Sequence, residues 1–294
     1  MVESSAWLSS IEQEERRHVF WSVYLLDKLV TCGRSRPSAI ADEDCHVQLP
    51  CDGHGIGDPG DKERLMLDQL LRWNPGAHGT PGKFALTVLT ASMLGRCARY
   101  VLQERFADET LPWDPRSEFT SINSSLLLVE SHLQSQRHPL IDCDATVEGL
   151  DHLLFAHVVF HLCHCLLNHP FLRRMQMKRL QTTVPPNFAA RMLETCLEHA
   201  TQLTNLLDES IRFNHPIRAS FYVYATTIVG ALHSMRFHHL RHRGEGVAAL
   251  DYLARFQQSL GVLEKMFQLW DHALTMVSAL LFPNFRSSFF LSSL

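Results

Sequence analysis

The chain has 294 residues, 46% hydrophobic, with 27 Lys and Arg against 31 Asp and Glu for a net charge of −4. That balance excludes a disordered tail and a strongly basic nucleic-acid binder. A rule of about 150 residues per domain permits two domains, but one large helical unit fits equally well. The eight cysteines are scattered, with no C-x-x-C pair, so neither a disulfide scaffold nor a zinc finger is expected. Met1-Val2-Glu3-Ser4-Ser5 lacks the basic and apolar regions of a secretory signal, and an intracellular protein with reduced thiols is expected. Apolar stretches such as Tyr222 to Leu232 end at His or Arg, short of the roughly 18 apolar residues of a membrane span. No membrane crossing is expected.

Taken in chain order, the first helix runs from Ile11 to Cys32, with Val19, Phe20, Val23, Leu26 and Val30 recurring at three- and four-residue steps as its apolar face. Ser9 and Glu12 have capping-box spacing, and Gly33 suits the left-handed position that ends a helix. Residues 33–60 lack a period and close on Gly53-His54-Gly55-Ile56-Gly57-Asp58-Pro59-Gly60, a long loop. Thr80-Pro81 opens a second helix reaching about Phe106, on Phe84, Val88, Ala91, Leu94 and Ala98. Further helices are expected at about 116–137, 146–169, 187–212, 217–243 and 247–281, punctuated by Pro139, Pro170, Pro185-Pro186, Pro216 and Gly244. Residues 219–232 carry no charge and suit a helix enclosed by others, with a buried strand as the lesser reading of their β-branched content. The expectation is an all-α fold over residues 1–294: a large single-domain bundle of about seven to eight long helices with one long loop near the N-terminus.

Residues 14–50 carry the strongest signal: Glu14-Glu15-Arg16-Arg17-His18-Val19-Phe20-Trp21-Ser22-Val23-Tyr24-Leu25-Leu26-Asp27-Lys28, then Arg36-Pro37-Ser38-Ala39-Ile40-Ala41-Asp42-Glu43-Asp44-Cys45-His46-Val47-Gln48-Leu49-Pro50. This region, 9–50 with its flanks, resembles the regulatory domain, or middle homology region, of fungal zinc-cluster transcription factors. In that family paired arginines, an aromatic pair and an aspartate precede Gly-Arg-Pro, an acidic turn and Leu-Pro. The residues that match are Arg16, Arg17, Phe20, Trp21, Asp27, Arg36, Pro37, Asp44, Leu49 and Pro50. Trp113-Asp114-Pro115-Arg116-Ser117-Glu118-Phe119 is similar to a family connector. Leu166-Leu167-Asn168-His169-Pro170-Phe171-Leu172 resembles a family helix end, with His169 where arginine is usual. Ser35 stands where the family has glycine.

The family's DNA reader, a six-cysteine cluster binding two zinc ions, has no counterpart in these residues. The resemblance therefore implies the regulatory portion of a pathway-specific transcription regulator, acting in the nucleus without a reader or the domain's first helices. Its implied partners are other transcription-regulator chains or coregulators and a small-molecule effector, with no direct DNA contact from this chain, no membrane partner and no cofactor, zinc belonging only to the missing reader. A reader-less module that modulates a full-length relative is the alternative.

Arg17 and Asp27 lie ten residues apart, about 15 Å along a helix, so each needs a partner elsewhere. Asp27 is expected to hold the following loop through the guanidinium of Arg36 or Arg34. Eighteen histidines are the oddity of the composition. His157/His161 and His161/Cys165 have the i, i+4 spacing that can chelate zinc, but no third ligand is visible, and no metal is expected. Arg236 to Arg243 reads as a cationic helix end before Gly244, and Arg173-Arg174 with Lys178-Arg179 as an exposed basic face. Motifs for a nucleophile elbow, a zinc protease or a phosphate loop are absent from the sequence, and Glu14-Glu15 and Asp42/Asp44 read as helix-start and turn residues. A non-enzyme is expected, a His-rich metal-dependent enzyme being the remote rival. An effector cleft would lie between the long apolar helices, lined by Phe221, Tyr222, Tyr224 and Trp270.

Overall fold

A computed structural model describes residues 10–32, 37–50, 65–72, 81–102, 110–136, 147–170, 183–215 and 217–281. Ser9, Gly33, Arg34, Arg36, the glycine-rich stretch and the basic pairs at 173–179 lie outside them. The described elements are helices and one 3-10 turn, without a strand: α1 (Ser10–Thr31), the turn Asp42–Asp44, α2 (Leu67–Leu71), α3 (Lys83–Leu102), α4 (Glu118–Gln134), α5 (Val147–Leu167), α6 (Pro186–Arg212), α7 (Phe221–His242), α8 (Gly246–Phe267) and α9 (His272–Leu281). The all-α expectation holds. One continuous apolar cluster runs from Trp21 on α1 to Leu280 on α9.

α5 is the axis. It packs against α3, α4, α6 and α7, and Leu153, Val158, Leu162 and Leu167 on different sides of it are all fully enclosed. A helix apolar on every side must be surrounded. Residues Gly149–Leu167 are long and apolar enough to cross a membrane, and 72% of that window is buried inside the protein. This corrects the expectation that every apolar stretch falls short of spanning length; the four histidines within the stretch, His152, His157, His161 and His164, interrupt its apolar run in the sequence.

α6 shows the opposite pattern. Met192, Cys196, Ala200, Leu203 and Leu207 recur at helical steps on its buried side, while Glu194, Glu198 and Gln202 face water. Pro186 occupies its first turn, where the missing amide hydrogen is no loss. Asn214, in the left-handed conformation at φ 55°, ends it, and His215 N–H donates back to Ser210 O at 2.8 Å. α7 contains most of the uncharged stretch 219–232, which is helical despite its β-branched residues; Thr226 and Thr227 hydroxyls donate to the carbonyls of Tyr222 and Val223 within the helix.

Two further expectations are overturned. The helix proposed over 247–281 is broken: α8 stops at Phe267, and α9 starts at His272 after a turn in which Leu269 and Trp270 N–H donate to Met266 O. The break lets α9 fold back on both α7 and α8. Gly230 makes this close approach workable, since a Cβ there would sit 3.2 Å from Leu280 and 3.3 Å from Ser259.

The apolar face of α1 was also misassigned. Val19, Val23, Leu26 and Val30 are exposed, Val19 by 65% and Leu26 by 61%. Trp21, Tyr24, Lys28 and Cys32 face α3 and the core instead, at helical spacing one step round. The inward face is chosen by large aromatic rings and by what Lys28 finds there, rather than by aliphatic count.

Candidate functional site

At the junction of α1, residues 37–50 and α3, polar side chains are held inside the protein. Lys28 is 3% exposed, yet its ammonium is fully engaged. It donates to Ile40 O at 2.7 Å and to Ser38 Oγ at 3.0 Å, and it lies 2.9 Å from Asp42 Oδ1. Its charge also sits 4.7 Å from the centre of the Tyr24 ring. Gly95 on α3 makes room for its stem, for a Cβ there would stand 3.0 Å from Lys28 Cδ.

Asp42 gathers the other donors. Tyr24 O–H donates to Oδ1 at 2.7 Å, and Ser92 O–H on α3 donates to Oδ2 at 2.6 Å. Burial alone would raise this carboxyl, but hydrogen bonds from Ser92, Lys28 and Tyr24 and the Lys28 charge outweigh it, holding Asp42 below its ordinary range. The same surroundings push the Tyr24 phenol well above its ordinary value, first by burial and then by the Asp42 charge. Asp42 was read from sequence as a turn residue; it is the centre of the junction.

Around this pair the matched motif residues hold the chain in place. Both carboxylate oxygens of Asp27 accept backbone amides, Ala39 N–H at 2.9 Å and Ile40 N–H at 3.1 Å. Asp27 thus fixes the loop through these amides; the expected contact with Arg36 or Arg34 lies outside the described residues. Arg17 pairs with Glu14 at 2.8 Å and reaches Gln48 Oε1 at 3.4 Å. Trp21 Nε1–H donates to Gln48 O at 2.9 Å, and the Trp21 ring meets Phe20 and Tyr24 edge-on. Leu49 is buried and donates its amide to Leu65 O at 2.8 Å, with Pro50 buried beside it. Arg16, Pro37 and Asp44 are exposed, and Asp44 forms the end of the 3-10 turn.

The junction resembles a reactive constellation only in composition. Ser92 beside Asp42 is a hydroxyl beside a carboxylate, but Ser92 is completely enclosed, so a substrate cannot reach it.

A second polar cluster lies between α5 and α6. His161 Nδ1 is 2.9 Å from His199 Nδ1, and the His164 ring stacks on His199 with centroids 3.9 Å apart and planes within 3°. Burial, then repulsion from His199, pulls His164 down to about 3, and burial pulls His199 down to about 4. His161 is lowered well below its ordinary value for the same reasons. The candidate ligands His157, His161 and Cys165 are not gathered around a common point: His157 and His161 rings are 6.4 Å apart, and Cys165 Sγ points to Cys196 O across the interface. Among the described residues no three or more His, Cys, Asp or Glu side chains are grouped to hold a metal ion. His199 entered the cluster unforeseen, because nothing in sequence spacing links it to a residue 38 positions earlier.

The proposed cleft lining is dispersed. Tyr222 is in the core, with its ring and that of Phe221 against Phe155, and Tyr224 is half-buried nearby on α7. Trp270 lies at the surface with its indole N–H donated to Arg218 O at 2.9 Å.

Residues 2–139 match the family described as fungal specific transcription factor domain. A 45-residue stretch is 44% identical to an ABC-transporter-regulating transcription factor of Aspergillus fumigatus, an alignment that covers 15% of this chain and 5% of that protein. No solved structure matches the chain.

Proposed function

We propose that the chain, whose residues 2–139 match the fungal specific transcription factor domain, is the regulatory portion of a fungal pathway-specific transcription regulator. It acts in the nucleus on other transcription-regulator chains or coregulators, and contact with DNA comes from another segment or chain. The observation that supports this reading most is where the family match falls. It covers α1, the loop and α3, whose motif residues are spent on holding two helices and a loop together. Such a junction suits a part that transmits a packing change, since an effector or partner that favours one arrangement shifts the population toward it.

The test is transcript profiling in the fungal host after deletion of the coding sequence. A confined, co-regulated set of transcripts should change, and restoring the chain should restore them. Unchanged transcripts across growth conditions would contradict the reading.

A further inference from the structure

The junction opens on one side into a small cleft, with a volume of about 70 Å³, whose walls come from α1, residues 37–42 and α3. Lys28, Thr31, Ser38, Asp42, Arg96 and Arg99 supply its polar lining. Lys28 and Asp42 neutralise each other at 2.9 Å, which leaves the two guanidinium groups as charge without an acidic partner among the described residues. Arg96 is half-buried, and its partners among the described residues are Met93 Sδ at 3.8 Å and Ser125 Oγ at 3.4 Å, neither of them anionic. Arg99, one turn along α3, is exposed and has no acidic partner among the described residues. In a chain of net charge −4, two arginines on one wall of a concave site, without an acidic partner among the described residues, are a local reversal of sign.

We propose that this cleft binds a small oxyanion, a phosphate or a short carboxylate, between Arg96 and Arg99 on α3 and the Ser38 hydroxyl on the loop. Guanidinium groups recognise such anions through paired N–H donors. Ser38 O–H is held only loosely by Ile40 O at 3.4 Å, so it can turn toward a ligand. Size limits the class. At about 10–15 Å³ per water on this measure, the cleft holds roughly five waters, which fits a phosphate or a short dicarboxylate and not a nucleotide. No aromatic ring lines it, so a base would find nothing to stack on. An anion held there spans α1, the loop and α3, and stabilises the arrangement in which the three meet.

The assignment rests on the regulatory reading only for its consequence; binding itself is read directly. Isothermal titration calorimetry of the full chain is done with inorganic phosphate and, separately, with succinate, at fixed ionic strength set by chloride. Saturable binding of one anion per chain is expected with at least one probe, and the responding probe identifies the phosphate or the carboxylate source. Arg99→Gln, at an exposed position, and Arg96→Gln should each weaken it at least tenfold, and Arg243→Gln at the distant end of α7 should leave it unchanged. Absence of saturable binding to both probes, or equal weakening by Arg243→Gln, would overturn the proposal. Transcript profiling does not enter this test, so its outcome and that of the regulatory reading are separately observable.

Discussion

Lys28 and Asp42, 14 positions apart in sequence, form an ion pair at 2.9 Å, with Lys28 buried and Asp42 half-buried, that joins α1 to the loop following it, and Ser92 extends the bond to α3. Removing one partner of such a pair leaves an uncompensated charge inside. Lys28→Met should therefore cost about 3–5 kcal/mol of unfolding free energy, because Asp42 stays charged with only Tyr24 and Ser92 to satisfy it. Asp42→Asn in the same chain should recover part of that loss, with a coupling of about 0.5–3 kcal/mol in a double-mutant cycle by chemical denaturation. Strict additivity of the two changes would show that the pair is not the connection.

Asp27 is the second tether. Its carboxylate receives two amides that Ala cannot receive, and hydrogen bonds to a charged group contribute about 1.5–3 kcal/mol. Asp27→Ala should lower the melting temperature and speed hydrogen exchange at Ala39 and Ile40, leaving exchange in α7 unchanged. A melting temperature equal to wild type would remove the tether from the account.

The buried histidines set the acid response. His164 titrates at about 3 and His199, His169 and His233 at about 4, against an ordinary 6.5. Between those values the unfolded chain binds protons that the folded chain refuses, so stability falls as pH drops from about 6.5 toward 4. Each such histidine adds a slope of about 1.4 kcal/mol per pH unit where it is fully protonated unfolded and neutral folded. Asp42 acts lower: its stabilising contribution is present above the unfolded value of 3.8 and is lost as pH falls through the lower folded one. Denaturation at pH 7, 6 and 5 checks this, with a shallower slope expected for His164→Phe. A slope unchanged by that substitution would contradict it.

Exposure of the α1 stripe has a plain consequence. Leu26→Glu should change stability by no more than about 0.5 kcal/mol, as expected of a surface position away from other features. Had the stripe faced the core, the same change would bury a charge and unfold the chain. Thermal melting distinguishes the two.

The helices were legible because proline and glycine mark their ends and apolar residues repeat along them. Their packing was less so. α1 offers two candidate inner faces, and Val19, Val23, Leu26 and Val30 score as well on periodicity as Trp21, Tyr24 and Lys28. The deciding facts are contacts with α3: the space above Gly95 for the Lys28 stem, and Ser92 reaching Asp42 from 50 residues away. Pairings of that separation leave no spacing signature, which is also why His199 was not joined to His161. Asp27 was legible as a loop anchor, since an acid near a helix end has few other uses; that it would choose amides is a matter of loop geometry. The short helix Leu67–Leu71 gave no signal, being too brief for a period.

The central claim, that this chain acts on transcription through an intact α1–loop–α3 junction, is tested most directly by fusing it to a heterologous DNA-binding domain at a reporter gene. Reporter output should differ several-fold from that of the DNA-binding domain alone, and Lys28→Met should abolish the difference while the Leu26→Glu fusion, at equal protein level, still folds. Output identical to the DNA-binding domain alone, with the wild-type fusion present and folded, would contradict the claim.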